Sequence, residues 1–445
     1  MEKHFDVVIL GGGPAGTAAG MTLLKRAGTS VAIIEKSNYE THRPGESLTP
    51  GVRPLLEYLD LWQAFQKEQS LNAFGSEAAW GSSEAHALDY LFTLHGTGWC
   101  LDRVRFDRMM AMEFERRGGQ LKCATQLQNF EQTDNKTWRL QTINRAGKPQ
   151  EFSCDYLIDA SGRTGVLAKQ LKSIRKQYDR LVGIGAFGVL QENMHIPSSI
   201  LVEACSYGWW YSAPVPGQKV VFMLMSDADI VGQQQLAQKK YWQELLEEMP
   251  LTRERFKKIQ FSNVPMAFSA KSSCLETVGG SNWVAVGDAV ASHDPLSSSG
   301  IPHAIGSGVH GALVAADALF ASGKMLTTYQ ESIHKDFQQY LNTHWQYYQR
   351  EKRWTNAKFW KRRQTRVTLS PNAKLKYIYT EKEKHLNVAT HLPKKMYIDL
   401  LRSCKNEMAV YQVVRHFLNQ NPQVSDQQAI LGLQELVEEG YVSLA

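Results

Sequence analysis

The sequence predicts an α/β protein that combines a parallel sheet, an antiparallel sheet and a helical C-terminal extension. The parallel sheet is indicated by two apolar runs of strand length, Phe5–Leu10 and Val31–Ile34. They flank a glycine turn and an Ala/Leu-rich helical segment that ends near Arg26. The antiparallel sheet is indicated by residues 181–227, where strands alternate with turns and aromatic residues. Beyond about residue 325 the chain becomes helical, basic and rich in Tyr and Trp, which indicates an extension.

A glycine fingerprint follows the first strand at once. Gly11, Gly13 and Gly16 form a G-x-G-x-x-G turn, and Glu35 closes the second strand 19 residues after Gly16. Gly11 permits the tight turn, Gly13 lets the backbone approach a pyrophosphate, and Gly16 lets helix and strand pack closely. The helix N-terminus attracts phosphates, and the Glu35 carboxylate can accept both hydroxyls of an adenosine ribose. The unit therefore predicts a Rossmann-type dinucleotide site with contacts from Gly11, Gly13, Pro14, Ala15, Gly16, Glu35 and Lys36.

A second site-like element lies near residue 290. The apolar strand Trp283–Val286 places Asp288 just after its carboxyl end, where α/β folds bind ligands, so Asp288 can bind a hydroxyl of a sugar-alcohol chain. The loop from Pro295 to Gly300 is rich in small side chains, so a flat ring can approach its backbone. The N–H groups of Gly300 and Ile301 open the next helix and would stabilise negative charge that develops on that ring.

Three motifs in order carry a family resemblance. They are the glycine fingerprint, Asp155–Gly162 with the sequence DYLIDASG, and Gly287-Asp288 followed by Asp294-Pro295. The chain resembles FAD-dependent monooxygenases of the aromatic-hydroxylase type, most closely their tryptophan-halogenase branch, over roughly residues 5–320. The resemblance implies a Rossmann-type FAD-binding domain in two parts, residues 1–180 and 276–325. It also implies an antiparallel-sheet substrate domain, 181–275, before the extension 326–445.

The resemblance also implies specific contacts with FAD. Arg103 would reach the pyrophosphate, Asp288 would bind the ribityl chain, and the isoalloxazine ring would lie against the loop that begins at Pro295. Arg43, Glu46 and Ser47 match the loop that flanks the ring in these enzymes. The cofactor contacts that the resemblance adds are Arg43, Ser47, Arg103, Ser161, Gly162, Asp288, Pro295, Gly300 and Ile301.

The chain departs from a halogenase at two places. Halogenases carry a W-x-W-x-I-P signature, and here Tyr211 stands where the second tryptophan belongs and Ala213 replaces isoleucine, although Trp209 and Pro214 match. The catalytic lysine of halogenases would be expected within residues 72–80, which contain no lysine, with Gly75 in the best register. Without that amine the sequence offers no agent for halogenation, so we expect an enzyme that is not a halogenase.

Oxygen chemistry remains as the expected reaction. Reduced FAD with oxygen can supply an oxygen atom to an electron-rich aromatic ring, which the protein would position and shield from water. The predicted catalytic residues are Trp209 and Tyr211, together with His293, which could act as acid or base. Trp210 and His303 are further candidates for lining this pocket, and all five residues could instead be ordinary core or loop members. No second glycine fingerprint is present, so NAD(P)H used directly and a separate flavin reductase both stay open as sources of electrons.

The composition narrows the possible partners, metal sites and compartment of the protein. The chain has 445 residues, 43% of them hydrophobic, and a net charge of +6 that does not by itself indicate nucleic acid. Six scattered cysteines without a C-x-x-C pair fit reduced thiols and predict no metal site. The first strand begins almost at the N-terminus, and no apolar run is long enough to span a bilayer. These features predict a cytoplasmic protein without a membrane partner.

The extension offers three interpretations. Residues 327–366 predict one long helix with Trp345, Tyr348 and Lys352 on one face, and residues 351–376 hold nine Lys or Arg against one Glu. Two further helices are predicted at Met396–Leu418 and Asp426–Glu439, followed by a short strand, an order that resembles a fragment of a winged-helix module. The basic stretch could be a solvated face, a docking surface for an acidic protein, or, last, a nucleic-acid surface.

One family accounts for these features together. The chain resembles the halogenase-like flavoproteins that mature bacterial glycine and lysine oxidases, in which a tryptophan becomes cysteine tryptophylquinone. The matching features are the loop Thr41–Leu48, the degenerate motif at Trp209 and the missing lysine. The resemblance implies oxygen insertion into a peptidyl tryptophan of a precursor oxidase that docks on the extension. A hydroxylase of a free aromatic metabolite, a flavin-binding chaperone and an isoprenoid-lipid reductase are the alternatives.

Overall fold

A computed structural model describes most of the chain. The described residues are 3–25, 29–90, 96–134, 136–190, 199–255, 259–261, 265–365, 367, 369–378, 391–404 and 407–444. In this part of the chain no helix combines the length and the apolar character that crossing a membrane requires.

The strands are numbered along the chain. They are β1 (Lys3–Leu10), β2 (Val31–Ile34), β3 (Ser47–Leu48), β4 (Leu71–Ala73), β5 (Gly75–Ala79), β6 (His86–Asp89), β7 (Gly98–Cys100), β8 (Gln120–Lys122), β9 (Thr125–Gln132), β10 (Trp138–Asn144), β11 (Pro149–Asp159), β12 (Arg175–Gln177), β13 (Leu181–Val189), β14 (Ser199–Cys205), β15 (Gly208–Val215), β16 (Lys219–Asp227), β17 (Gln260–Phe261), β18 (Met266–Ser269), β19 (Ser273–Leu275), β20 (Gly279–Gly280), β21 (Trp283–Ala285), β22 (Ala291–Ser292), β23 (Leu375–Tyr377) and β24 (Val442–Leu444).

The helices are numbered in the same way. They are α1 (Pro14–Leu24), α2 (Arg53–Tyr58), α3 (Trp62–Lys67), α4 (Arg103–Arg116), α5 (Val166–Gln170), α6 (Ala228–Gln233), α7 (Lys239–Glu247), α8 (Pro250–Arg255), α9 (Gly300–Phe320), α10 (Met325–Gln349), α11 (Lys358–Gln364), α12 (Lys394–Ser403), α13 (Val410–Gln420) and α14 (Asp426–Glu438).

The first sheet contains the predicted βαβ unit. Its order is β20-β21-β11-β1-β2-β8, and the pairs among β21, β11, β1, β2 and β8 are parallel. The chain leaves β1, turns into α1 and returns as β2, as the sequence predicts. Helix α1 packs against α9, so the N-terminal unit and the segment after residue 275 share one hydrophobic core. The α/β architecture with a Rossmann-type sheet is therefore confirmed.

The second sheet is antiparallel apart from one pair. Its order is β17-β13-β16-β15-β14-β5-β6, and only β14 and β5 run parallel among the described strands. This confirms the antiparallel sheet expected from residues 181–227. Strands β5 and β6 belong to this sheet although they lie within residues 1–180, because the chain crosses over and returns before α4.

The segment after residue 325 is part of the main body. Tyr329 and Phe337 of α10 are buried in the core of the first sheet, whereas Tyr348 at its other end is buried in the core of the second. The predicted helix 327–366 is wrong beyond residue 349. There the buried carboxylate of Glu351 accepts hydrogen bonds from the N–H groups of Gly81 and Arg353, both at 2.8 Å, and so redirects the chain before α11.

The last part of the chain has its own core. Helices α12, α13 and α14 and the antiparallel pair β23–β24 surround a third cluster that includes Tyr397, Val413 and Leu433. The prediction of one helix over Met396–Leu418 is wrong, because α12 ends at Ser403 and α13 begins at Val410. Three helices therefore precede the last strand, where the sequence predicted two.

The basic stretch 351–376 is largely neutralised inside the protein. Arg363 pairs with Asp227 at 2.7 Å, and Arg362 pairs with both Asp227 and Asp229 at 2.8 Å. Lys358 also reaches Asp229, at 2.7 Å. Much of the charge that suggested a docking surface for an acidic partner therefore holds α11 against the second sheet.

Candidate active site

One cavity of about 760 Å³ is lined by residues of both sheets. Residues from β1, α1 and β2 line one part, and residues from β15, β16 and β18 line another. Of the predicted site residues, Gly16 and the further candidates Trp210 and His303 do not line the cavity. The cavity brings together the others, namely Gly11, Gly13, Pro14, Ala15, Glu35, Lys36, Arg43, Ser47, Arg103, Ser161, Gly162, Trp209, Tyr211, Asp288, His293, Pro295, Gly300 and Ile301.

The glycine turn has the geometry that a dinucleotide needs. Gly11 adopts φ +106°, and a Cβ there would overlap the carbonyl oxygen of Ala160. A Cβ on Gly16 would overlap the carbonyl oxygen of Gly11, so Gly16 serves helix packing and does not line the cavity. A Cβ on Gly13 would meet no atom of the described chain within 4 Å, which leaves an open cradle before α1.

Glu35 lies at what we call the ribose end of the cavity. Its Oε2 accepts the N–H of Gly12 at 2.7 Å, and its Oε1 accepts the N–H and the hydroxyl of Ser37 at 2.9 and 2.6 Å. Burial raises the pKa of Glu35, but the hydrogen bonds from Ser37 and Gly12 and the charge of Arg43 outweigh it, so the pKa lies below its usual value. Oε2 has one bond from the protein and can accept another from a ribose hydroxyl.

Arg43 contributes to the same end. Its guanidinium lies 3.1 Å from Glu35 Oε1 and donates to the hydroxyl of Ser37 at 2.8 Å. The resemblance placed Arg43 beside the flavin ring, but these contacts place it at the ribose end, because Glu35 and Asp107 both attract its charge. Residues 125–127 also line the cavity, and no motif in the sequence indicated them.

Arg103 supplies the expected cation in the cavity wall. Asp107 holds its guanidinium through bonds of 3.0 and 3.1 Å, and the carbonyl oxygen of Pro44 accepts a third at 2.6 Å. The N-cap Asp102 accepts from the N–H of Val104 at 2.9 Å and so fixes the start of α4. A rigid, largely buried cation in this wall suits a pyrophosphate.

The turn after β11 is shaped by Asp159. Its Oδ1 accepts from the N–H of Ser161 at 3.0 Å, and its Oδ2 accepts from the N–H of Leu167 at 2.9 Å. Arg163, which the sequence reading missed, lies 3.2 Å from Asp288 and donates to the carbonyl oxygen of His293 at 2.8 Å. Its position directly after the D-A-S-G motif was the available signal.

The loop before α9 is anchored by one buried carboxylate. Asp294 Oδ1 accepts from the N–H of Leu296 at 2.9 Å, and Oδ2 accepts from the hydroxyl of Tyr348 at 2.8 Å. His344 lies 3.0 Å from the same Oδ2, and the N–H of Asp294 donates to Tyr340 at 2.8 Å. Helix α10 therefore fixes the loop against which the isoalloxazine ring is expected, a role that the sequence reading did not assign to it.

The aromatic residues of β15 divide according to the strand period. Trp209 and Tyr211 line the cavity, whereas Trp210 points to the other face and packs against Trp242 with ring centroids 5.2 Å apart. Trp209 is also structural, because its Nε1–H donates to the hydroxyl of Tyr348 at 2.9 Å. The hydroxyl of Tyr211 is buried and has no hydrogen-bond partner in the described part of the chain.

Two buried histidines meet beside the loop. The rings of His293 and His303 are edge to face with centroids 4.4 Å apart, and His293 lines the cavity. Burial lowers the pKa of both side chains, and for His293 the charges of His303 and Arg163 lower it further. Both imidazoles are therefore neutral at pH 7, and His293 Nδ1 lacks a hydrogen-bond partner among the described residues. A neutral His293 can accept a proton.

Glu46 is a second buried carboxyl group in the same cavity. Its Oε2 accepts from the N–H of Gly45 at 3.1 Å, and Oε1 has no hydrogen-bond partner within the described ranges. Burial raises the pKa of Glu46 to about 7, against the opposing effect of its backbone hydrogen bonds and of Arg103. The sequence reading placed Glu46 in the right loop but gave it no chemical role.

Comparison with known proteins agrees with this geometry. The profile of the FAD binding domain family matches residues 4–344. The chain is 33% identical over 365 residues to the putative FAD-dependent oxidoreductase LodB of Marinomonas mediterranea. The aligned region covers 81% of this chain and 97% of LodB. It is 25% identical over 331 residues to the tryptophan 2-halogenase of Chondromyces crocatus, covering 71% of this chain and 61% of that protein.

Solved structures share the fold. The myxobacterial chondrochloren halogenase CndH superposes with a TM-score of 0.74 at 17% identity, covering 97% of both chains. The p-nitrophenol 4-monooxygenase PnpA of Pseudomonas putida superposes with a TM-score of 0.64 at 15% identity, covering 78% of this chain and 90% of that one. An open glycine cradle, a buried acid for the ribose and a largely buried arginine fit FAD. The chain therefore belongs to the FAD binding domain family of FAD-dependent oxidoreductases, and FAD is its cofactor.

Proposed function

We propose that this protein is an FAD-dependent monooxygenase-like enzyme that inserts oxygen into a peptidyl tryptophan of a partner oxidase. The modified residue would be an intermediate in the formation of cysteine tryptophylquinone. The observation that carries the proposal is the similarity to LodB, which extends over 97% of that protein, combined with a flavin cavity that lacks the lysine of a halogenase.

The missing lysine is supported by geometry as well as by sequence. None of residues 72–80, where halogenases hold their catalytic lysine, lines the cavity, because β5 lies next to the edge strand of the second sheet. Among the described lining residues the single lysine is Lys36, which follows Glu35 at the ribose end. Apart from Lys36, the described lining of the cavity therefore contains no lysine amine that could deliver halogen to a substrate ring, which favours oxygenation.

The chain's own residues would bind and shield the ring. Trp209 and Tyr211 offer an aromatic wall, and Met223, Met225 and Phe268 add apolar surface that excludes water. When reduced, FAD supplies one atom of O₂ to the ring and the other leaves as water, with two electrons from NAD(P)H or from a flavin reductase. A ring C–H becomes C–OH, and His293 would accept the proton displaced from that carbon.

A protein substrate requires a docking surface outside the cavity. We propose that the partner oxidase docks on the C-terminal region, because α10 joins that region directly to the loop beside the flavin. The third core carries exposed aromatic surface at Tyr411, which is half exposed on α13. Large aromatic side chains of this kind are the residues that most often anchor protein partners.

The intact mass of a candidate partner oxidase tests the proposal. The oxidase is co-expressed with the wild-type chain, with Gly13→Asp, or with the control Gly232→Asp, which places the same side chain at an exposed site on α6. Gly13→Asp adds a carboxylate to the cradle without a clash, so it should fold and fail to bind FAD. We expect a gain of oxygen at one tryptophan with the wild type and the control only.

The other outcomes separate the rival functions. An oxidase that stays unmodified in a stable complex would favour a flavin-binding chaperone. An oxidase that neither binds nor changes would favour hydroxylation of a free aromatic metabolite. Halogen in place of oxygen at the tryptophan, in medium that contains bromide, would overturn the conclusion drawn from the missing lysine.

A further inference from the structure

The backbone of Glu46 is fixed by the fold, whereas its carboxyl group has a single hydrogen bond, from the N–H of Gly45 to Oε2. The N–H of Leu101 donates to the carbonyl oxygen of Glu46 at 2.6 Å, and the next residue, Ser47, begins β3 and pairs with Cys100 of β7. The residue is only 2% exposed, and its side chain lines the cavity. The fold thus places an acid in the cavity wall without giving Oε1 a partner from the described residues.

Two further polar atoms on residues of this cavity are also buried without a hydrogen-bond partner among the described residues. The hydroxyls of Ser47 and Tyr211 are buried, line the same cavity and have no hydrogen-bond partner within the described part of the chain. Buried polar atoms are nearly always hydrogen-bonded, since an unsatisfied one costs about 1–3 kcal/mol. Three such atoms on residues that line one cavity point to a ligand that supplies the missing bonds. Burial raises the pKa of Tyr211, and the negative charge of Glu46 raises it further.

The charged and titratable groups around Glu46 come from three elements. At the start of α4, Arg103 attracts its charge and Asp102 repels it. Cys100 on β7 and Tyr211 on β15 are both kept neutral, because burial raises the pKa of each. Burial outweighs Arg103, so Glu46 changes its charge near pH 7, and a donor within the cavity would be bound more tightly by the ionised form.

We propose that Glu46, Ser47 and Tyr211 form a polar subsite for the ring N–H of an indole-type substrate, with the Glu46 carboxylate as the acceptor. This assignment depends on the proposed function for the choice of ring. A hydrogen bond from the ring N–H to a carboxylate strengthens as positive charge develops on the ring during attack by an electrophilic oxygen. Glu46 would therefore touch the substrate and stabilise that charge, while Tyr211 and Ser47 complete the polar wall.

Binding of two small probes to the FAD-loaded protein tests the subsite. The probes are N-acetyltryptophanamide and the same compound methylated at the indole nitrogen, and binding is measured by titration calorimetry. At pH 8 the wild type should bind the unmethylated probe about 10-fold more tightly, as a hydrogen bond to a charged group predicts. The preference should shrink below pH 7, where Glu46 is protonated.

Variants assign the effect to Glu46. Glu46→Gln keeps the shape and removes the charge, so the preference should become small and independent of pH. Glu46→Met should abolish the preference, and Glu57→Gln, on the exposed face of α2, should behave as wild type. Equal binding of both probes by the wild type would overturn the proposal. So would a Glu46→Gln protein with weaker FAD binding and an unchanged preference, because the acid would then serve an N–H of the flavin ring.

These measurements do not depend on turnover. If the partner oxidase stays unmodified but the probe preference behaves as described, the proposed function fails and the N–H subsite stands. If the oxidase gains oxygen and the probes bind alike, the subsite fails and the proposed function stands.

Discussion

The cavity contains two buried glutamates in opposite states. Glu35 at the ribose end has hydrogen bonds to both carboxylate oxygens and a pKa below its usual value. Glu46 has one bond to one oxygen and a pKa raised to about 7. Both carboxylate oxygens of Glu35 therefore have a partner before any ligand binds, whereas Glu46 Oε1 has none among the described residues. The difference separates a site that only has to hold its ligand from one that has to act on it.

The largest expected effect tests how the ribose end is built. Gly16→Ala should destabilise the protein by about 3 kcal/mol, because the added Cβ overlaps the carbonyl oxygen of Gly11 in a packed turn. Gly13→Ala should leave the melting temperature unchanged and weaken FAD binding, because its Cβ enters open space in the cavity wall. Thermal melting of the protein without FAD, followed by FAD titration, separates the two.

The comparison would fail if these two variants behaved alike. A Gly16→Ala protein with wild-type stability and weakened FAD binding would mean that Gly16 contacts the cofactor. That result would contradict its absence from the cavity wall.

The dependence of stability on pH contrasts the two glutamates. The pKa of Glu46 is raised from 4.5 to about 7, so the folded state binds the extra proton in that interval and loses stability as pH rises, by up to about 3 kcal/mol. Without FAD, Glu46→Gln should therefore be more stable than wild type at pH 8 and equal to it below pH 4.5, where the carboxyl is protonated in both states.

Glu35 should show the opposite sign. Its lowered pKa means that the ionised carboxylate stabilises the fold above pH 4.5, and that this contribution is lost as pH falls through the folded-state value. Glu35→Gln should be less stable than wild type at pH 7, and the gap should close in acid. Chemical denaturation at several pH values checks both variants. If the difference in stability from wild type had the same sign for both at about pH 7–8, the two glutamates would not be in opposite states.

The ribose end could be predicted from the sequence because its parts lie close together in the chain. One glycine pattern and one acid between residues 11 and 35 specify a turn, a helix and a strand, and the local geometry of these elements forms the ribose end. On β15 the sequence offered Trp209, Trp210 and Tyr211 together as lining candidates, and the strand period, which places Trp210 on the other face, was not applied to them. The stop of α10 at Gln349 was not predictable, because it depends on Glu351 meeting Gly81 across the fold.

The loop around Asp294, against which the isoalloxazine ring is expected, is held by distant parts of the chain. This explains why the sequence did not reveal the role of α10 there. Asp294 meets Tyr348 only after α10 has folded across both sheets, and Tyr348 then meets Trp209 of β15. No spacing rule links residues 209, 294 and 348. The ion pairs of the basic stretch 351–376 were hidden from the sequence for the same reason, since Arg363 pairs with Asp227 on the distant strand β16. Propensity and pattern describe single elements, whereas these pairings form between elements.

The smallest predicted effect tests whether α10 holds the ring end alone. Tyr348→Phe removes one hydroxyl and leaves the buried Trp209 Nε1 and one bond of Asp294 unsatisfied, a cost of about 1–3 kcal/mol. Tyr347→Phe is the matched control, because Tyr347 is the neighbouring residue on α10 and is 47% exposed. We expect Tyr348→Phe to shift the visible absorbance of bound flavin and to leave the affinity for ADP unchanged, since the ribose end shares none of these bonds. A loss of ADP affinity in Tyr348→Phe would show that the two ends are coupled, and an unshifted flavin spectrum would show that the Asp294 loop does not need α10 to hold its shape.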